Sequence, residues 1–84
     1  MKTIYKYPIK ITYHQTIDMP DGAKIIHTGV DPIGQACLWA EVQPANPAIP
    51  RSILVVGTGS LLPVGNHLGS FTQGPYVCHV YEQT

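Results

Sequence analysis

Charge is scarce in this sequence. Asp, Glu, Lys and Arg make up 12% of its 84 residues, about half the usual share of about 25%. Five basic side chains balance five acidic ones and leave no formal net charge. This excludes long-range attraction to a nucleic-acid backbone or an anionic membrane as a driving force, and no basic patch exists to supply it locally. Lys2, Lys6 and Lys10 recur at four-residue steps, which on a strand places them on one face and reads as a solvated outer surface. A surface so thinly charged favours self-association.

Cysteine is equally sparse. Cys37 and Cys78 each sit inside an apolar run, ACLWA and YVCHVY, where a free thiol behaves as a small core side chain. The expectation is two reduced thiols and no disulfide. The histidines, His14, His27, His67 and His79, form no i, i+2 or i, i+4 pair, and no C-x-x-C accompanies them. Metal-ligand spacing is therefore missing, and no metal or other cofactor is expected.

Long apolar runs are absent too: none reaches the ~18–20 residues that span a bilayer, and KTIYKY after Met1 is no apolar leader. A cytoplasmic protein without membrane contact is the expectation. The acids are Asp18, Asp21, Asp31, Glu41 and Glu82; three lie in or beside turns, and Glu41 faces solvent from mid-strand. A catalytic Ser or Cys needs a neighbouring base and an orienting third group. No such arrangement can be read here, so no catalytic residue is assigned and no enzyme is expected.

What the sequence does hold is β-pattern. The length fits one domain, 1–84, burying roughly 60–65% of the surface its unfolded chain exposes. Residues 3–13 alternate, with Tyr5, Tyr7, Ile9, Ile11 and Tyr13 on one side, the period of a half-buried strand. Pro8 lacks a donor, which puts this strand at an edge or breaks it there. MPDGA reads as a tight turn, and DPIG as another between strands AKIIHTGV and QACLWAEV, which should form an antiparallel hairpin. PANPAIP reads as an extended connector. RSILVVGTG, apolar almost throughout, reads as a central strand, and LGSF and PYVCHVYE supply one or two more. No ten-residue stretch shows a helical stripe, leaving at most one short helical turn near 60–68. The expectation is an all-β domain, a small five- to six-stranded mostly antiparallel sheet or partly open barrel. Trp39 reads as a core anchor more readily than an interface anchor.

The stretch VVGTGSLLPVGNHLGSF carries the candidate site. GTG is no dinucleotide fingerprint, because the sixth position is Leu62 and Pro63 follows, and no Gly-Lys-Ser/Thr exists for a phosphate loop. The glycines either ease a sharp turn or, with the Thr58 and Ser60 hydroxyls, form a backbone nest for an anion. His67 lies in the same loop, where an imidazole can bind a ligand. His79, within a strand, reads as packed and hydrogen-bonded.

MKTIYKYPIKIT, QTIDMPDGAKI, CLWAEV, VVGTG, LGSF and VCHVYE, in that order, resemble a family of short uncharacterised proteins encoded by bacteriophages and prophages. Its members commonly carry a small polar residue or histidine after GTG and then a proline-containing loop. Here Ser60, Leu61, Leu62 and Pro63 occupy that place. The resemblance brings no catalytic residues; it implies the same small β domain and a setting in which small binding proteins counter host defence.

Two readings follow. In the first, a homo-oligomer in the host cytoplasm sequesters a small nucleotide-like ligand on Gly57, Thr58, Gly59, Ser60 and His67, with Arg51 supplying charge. Subunit boundaries make deeper pockets than so short a chain makes alone. In the second, the protein blocks a host defence protein, or serves as a virion accessory protein, and docks through Tyr5, Tyr7 and Tyr13. Tyrosine brings large contact area at low entropy cost.

Overall fold

The β-branched and aromatic content resolves into strands alone. A computed structural model describes residues 1–84 as seven strands with no helix: β1 (Thr3–Pro8), β2 (His14–Pro20), β3 (Lys24–Val30), β4 (Ala36–Val42), β5 (Ala48–Gly57), β6 (Gly65–Gln73) and β7 (Tyr76–Gln83). They form two antiparallel sheets, ordered β1-β4-β3 and β2-β5-β7-β6, and do not close into a barrel. The all-β expectation holds. The strands number seven rather than five or six, and the helical turn looked for near 60–68 is absent, since β6 already starts at Gly65.

The extra strand comes from the break at Pro8. Residues 3–13 do not form one strand: β1 ends at Pro8, the Ile9 amide donates to the Ala36 carbonyl, and the chain turns a corner into the second sheet. Gln15 braces that corner. Its side chain accepts from the Lys10 N–H at 3.0 Å and donates to the Lys10 carbonyl at 2.8 Å. As its Pro8 suggested, β1 lies at a sheet edge, paired only with β4. The β3–β4 hairpin forms as expected, with Val30 opposite Ala36. PANPAIP is only partly a connector, because Ala48, Ile49 and Pro50 belong to β5 and pair with β2.

β5 is central, flanked by β2 and β7. Successive side chains alternate between faces, so Ile53 and Val55 enter the core while Leu54 and Val56 are buried on the other face. The core between the sheets gathers Met19, Leu38, Ala40, Val42, Ile53, Val55, Phe71, Cys78 and Val80. Both cysteines are free and buried, as their apolar runs suggested. Trp39 does not join the core: it alternates outward between Leu38 and Ala40, is only partly buried, and packs against His27 with ring centroids 5.2 Å apart.

Across the molecule β3 and β6 pack edge to edge without a hydrogen-bonded ladder. Gly69 makes this approach tight. Its φ is +154°, and a Cβ there would lie 2.3 Å from Thr28 Oγ1, a buried hydroxyl with no hydrogen-bond partner.

The DPIG turn is organised by Asp31. Its buried carboxylate accepts from the Gln35 N–H at 2.8 Å and the Ile33 N–H at 3.1 Å, and pairs with Lys6 Nζ at 3.0 Å. The Gln35 amide and then Lys6 hold its pKa below the ordinary carboxylate value against the opposing effect of burial. A depressed folded-state pKa means stability that is present above the unfolded value and lost as pH falls through the folded one. Thermal melts from neutral to acid pH should show the wild type losing stability that Asp31→Asn has already lost. Superimposable pH profiles for the two proteins would refute this role.

Candidate functional site

Glycine is needed once in the 57–60 loop for conformation. The Ser60 N–H donates to the Gly57 carbonyl at 3.2 Å, and Gly59, third of the four residues, has φ +93°, the geometry of a type II turn. The turn explains Gly59 but not Gly57, whose φ is not positive and whose missing side chain faces open space.

That space is a cleft of about 680 Å³ lined by Tyr13, Val55, Val56, Gly57, Ser60, Leu61 and Leu62. It exists because β2 stops short. The β2–β5 ladder ends with His14 opposite Leu54, and one further bond joins the Val55 N–H to the Tyr13 carbonyl at 3.2 Å. Main-chain groups alternate sides along a strand, so those of Gly57 point the same way as those of Val55. The Val55 carbonyl and the Gly57 N–H are left at this edge without a main-chain partner. A smaller hollow of about 190 Å³ shares Tyr13, Val55, Val56 and Gly57 and adds Ile11, Thr12, Tyr76 and Cys78.

Beside the cleft, on the outer face of the second sheet, runs a chain of polar side chains. Thr58 Oγ1 lies 2.8 Å from His79 Nε2, His79 Nδ1 lies 2.7 Å from Ser70 Oγ, and Ser70 Oγ lies 3.4 Å from His67 Nε2. Register explains the contact: Val56, His79 and Ser70 are directly opposite one another across β5, β7 and β6. A neutral imidazole offers one N–H and one lone pair. With the ring in that form, one hydroxyl donates to His79 while the other accepts from it. His67 also packs on Tyr81, with ring centroids 5.1 Å apart.

The six residues assigned from sequence are thus only partly gathered. Gly57 and Ser60 line the cleft, Thr58 and Gly59 form the turn at its rim, and His67 connects through Ser70 and His79. Arg51 stands apart, six residues back along β5, about 20 Å at strand rise. Its guanidinium donates through Nε and Nη2 to the Glu82 carboxylate and through Nη1 to the Ala23 carbonyl at 2.9 Å. Of the three tyrosines, Tyr13 is a cleft wall, whereas Tyr5 and Tyr7 form an edge-on pair on β1 with centroids 6.3 Å apart. His79 is hydrogen-bonded as read, at both nitrogens.

Leu61, Leu62 and Ser70 were not read as site residues. Two adjacent leucines left exposed in a loop were the available signal. No cluster of three or more His, Cys, Asp or Glu side chains is placed to hold a metal, and no helix is long and apolar enough to cross a membrane.

An all-β domain of two antiparallel sheets, with an open cleft where one strand outruns its neighbour, is the class these features define. The chain belongs to the domain-of-unknown-function family DUF7352, whose profile matches residues 1–84. No curated protein and no solved structure matches it.

Proposed function

We propose that the protein is a non-enzymatic binding module that captures a small nucleotide-like ligand in the cleft beside the 57–62 loop. The observation that carries this reading is the unpaired edge of β5 within an apolar cleft. An adjacent main-chain acceptor and donor, the Val55 carbonyl and the Gly57 N–H, match the mixed hydrogen-bonding edge of a heteroaromatic base. Tyr13, Leu61 and Leu62 supply apolar surface for its faces. The volume falls within the roughly 300–1,000 Å³ usual for small-molecule sites. The Ser60 and Thr58 hydroxyls at the rim suit a sugar. No Lys or Arg lines the cleft, so the ligand portion held there carries little charge. For a phage-encoded chain, such capture would withdraw a nucleotide-derived signal from host defence.

Gly57→Leu is the direct test, because it fills the cleft at a position with ordinary backbone and open space. Native mass spectra of protein purified from bacterial cells, and calorimetric titration with nucleosides and nucleotides, should show a ligand for the wild type. Gly57→Leu should weaken binding by at least about tenfold, or about 1.4 kcal/mol, with an unchanged circular dichroism spectrum. A wild type that carries no adduct and binds no nucleoside or nucleotide would overturn the reading.

A further inference from the structure

From Ser52 to Tyr81 the chain contains no Asp, Glu, Lys or Arg. These thirty residues supply most of β5, all of β6 and most of β7, and with them most of the cleft's walls. At the same end of the sheet lie Ile11, Tyr13, Leu61, Leu62 and Tyr76, each more than half exposed. They form one continuous patch, since the two hollows they line share Tyr13 and residues 55–57. We infer that this face is where a second copy of the chain docks about a two-fold axis, covering the cleft that one chain leaves open.

Three observations select a second copy as the occupant. First, area: the five side chains expose on the order of 700 Å², above the roughly 300–600 Å² of the largest patch on a typical monomer and close to the about 800 Å² each partner gives a standard interface. Second, charge: a two-fold contact places the same patch on both sides, and a patch without ionised groups meets itself without like-charge repulsion. Third, the whole chain has zero formal charge, so two copies approach without long-range repulsion. A partner recognised by charge would find nothing here to recognise. The inference does not rest on the cleft's ligand, which the second copy would enclose but need not contact.

Light scattering on a size-exclusion column and sedimentation velocity, over micromolar to millimolar chain concentration, provide the test. The wild type should run at twice the chain mass. Leu61→Asp and Tyr76→Asp should each run as monomers with unchanged circular dichroism and melting temperature, since both side chains are exposed within one chain. Mixing Leu61→Asp with Leu61→Lys should restore the doubled mass. A wild-type monomer at millimolar concentration would overturn the inference, as would a dimer that survives both aspartates or a face that instead retains an unrelated protein. A monomer that binds nucleotide removes only the dimer. A dimer that binds none removes only the ligand reading.

Discussion

Gly69→Ala should lower the stability of the protein by about 2–4 kcal/mol, a fall in melting temperature of roughly 10–25 °C for a domain of this size. Two costs add. The backbone at φ +154° is one that a side chain rarely adopts, and the new methyl would lie 2.3 Å from Thr28 Oγ1 on the facing strand. A surface glycine without such a neighbour would cost far less. The contact is testable by a double-mutant cycle with Thr28→Ala, which removes the hydroxyl and leaves Cβ atoms 3.4 Å apart. The pair should recover part of the loss, because residues in contact couple. Thr28→Val alone should be neutral or slightly stabilising, since it replaces a buried hydroxyl lacking a partner with a methyl. Strict additivity of Gly69→Ala and Thr28→Ala in chemical denaturation would show that the clash is relieved elsewhere.

The second large effect is at Arg51. Arg51→Ala should cost roughly 2–3 kcal/mol, between the ~0–1 kcal/mol of an exposed ion pair and the ~3–5 kcal/mol of breaking a buried one. Its fork is two-pronged on Glu82, the side chains are about four-fifths buried (17% and 20% exposed), and the Ala23 carbonyl loses its donor as well. Arg51→Ala and Glu82→Ala should be less than additive by denaturant titration, since each removes the same pair. Nucleotide affinity measured below the melting transition should be unchanged in Arg51→Ala. A variant that is stable but loses ligand would return Arg51 to the binding site.

How much of this was legible in the sequence depends on the range of the interaction. Local signals were readable: the turn at MPDGA, the β3–β4 hairpin around DPIG, the edge position of β1 from Pro8, and the central place of β5 from its unbroken apolar run. Strand β2 was not, because its inward positions are Gln15, Ile17 and Met19, and a glutamine there hides the alternation. Gln15 reaches the Lys10 main chain, a role no periodicity shows. Trp39 was misplaced for a related reason: the apolar run around it gives no face, and its partner His27 lies on another strand. At the site, the glycines marked the right loop, but the cleft depends on the β2 ladder ending opposite Leu54 while β5 runs on to Gly57, and strand registers are long-range facts. Arg51 was drawn toward the loop by its charge, whereas its partner lies thirty-one residues away in sequence.

The strand order also governs how the chain acquires its shape. Only β3–β4 and β6–β7 join neighbours in sequence; β1 must find β4, β2 must find β5, and β5 must find β7. Pairings of such separation close large loops before they gain contacts, which places small β domains in the millisecond-to-second range of folding times. The two hairpins can form early on their own. The edge strand β1 has no surface to join until β4 is in place, and β2 has none until β5 is, so each of these two strands waits on a partner that lies well beyond it in the sequence.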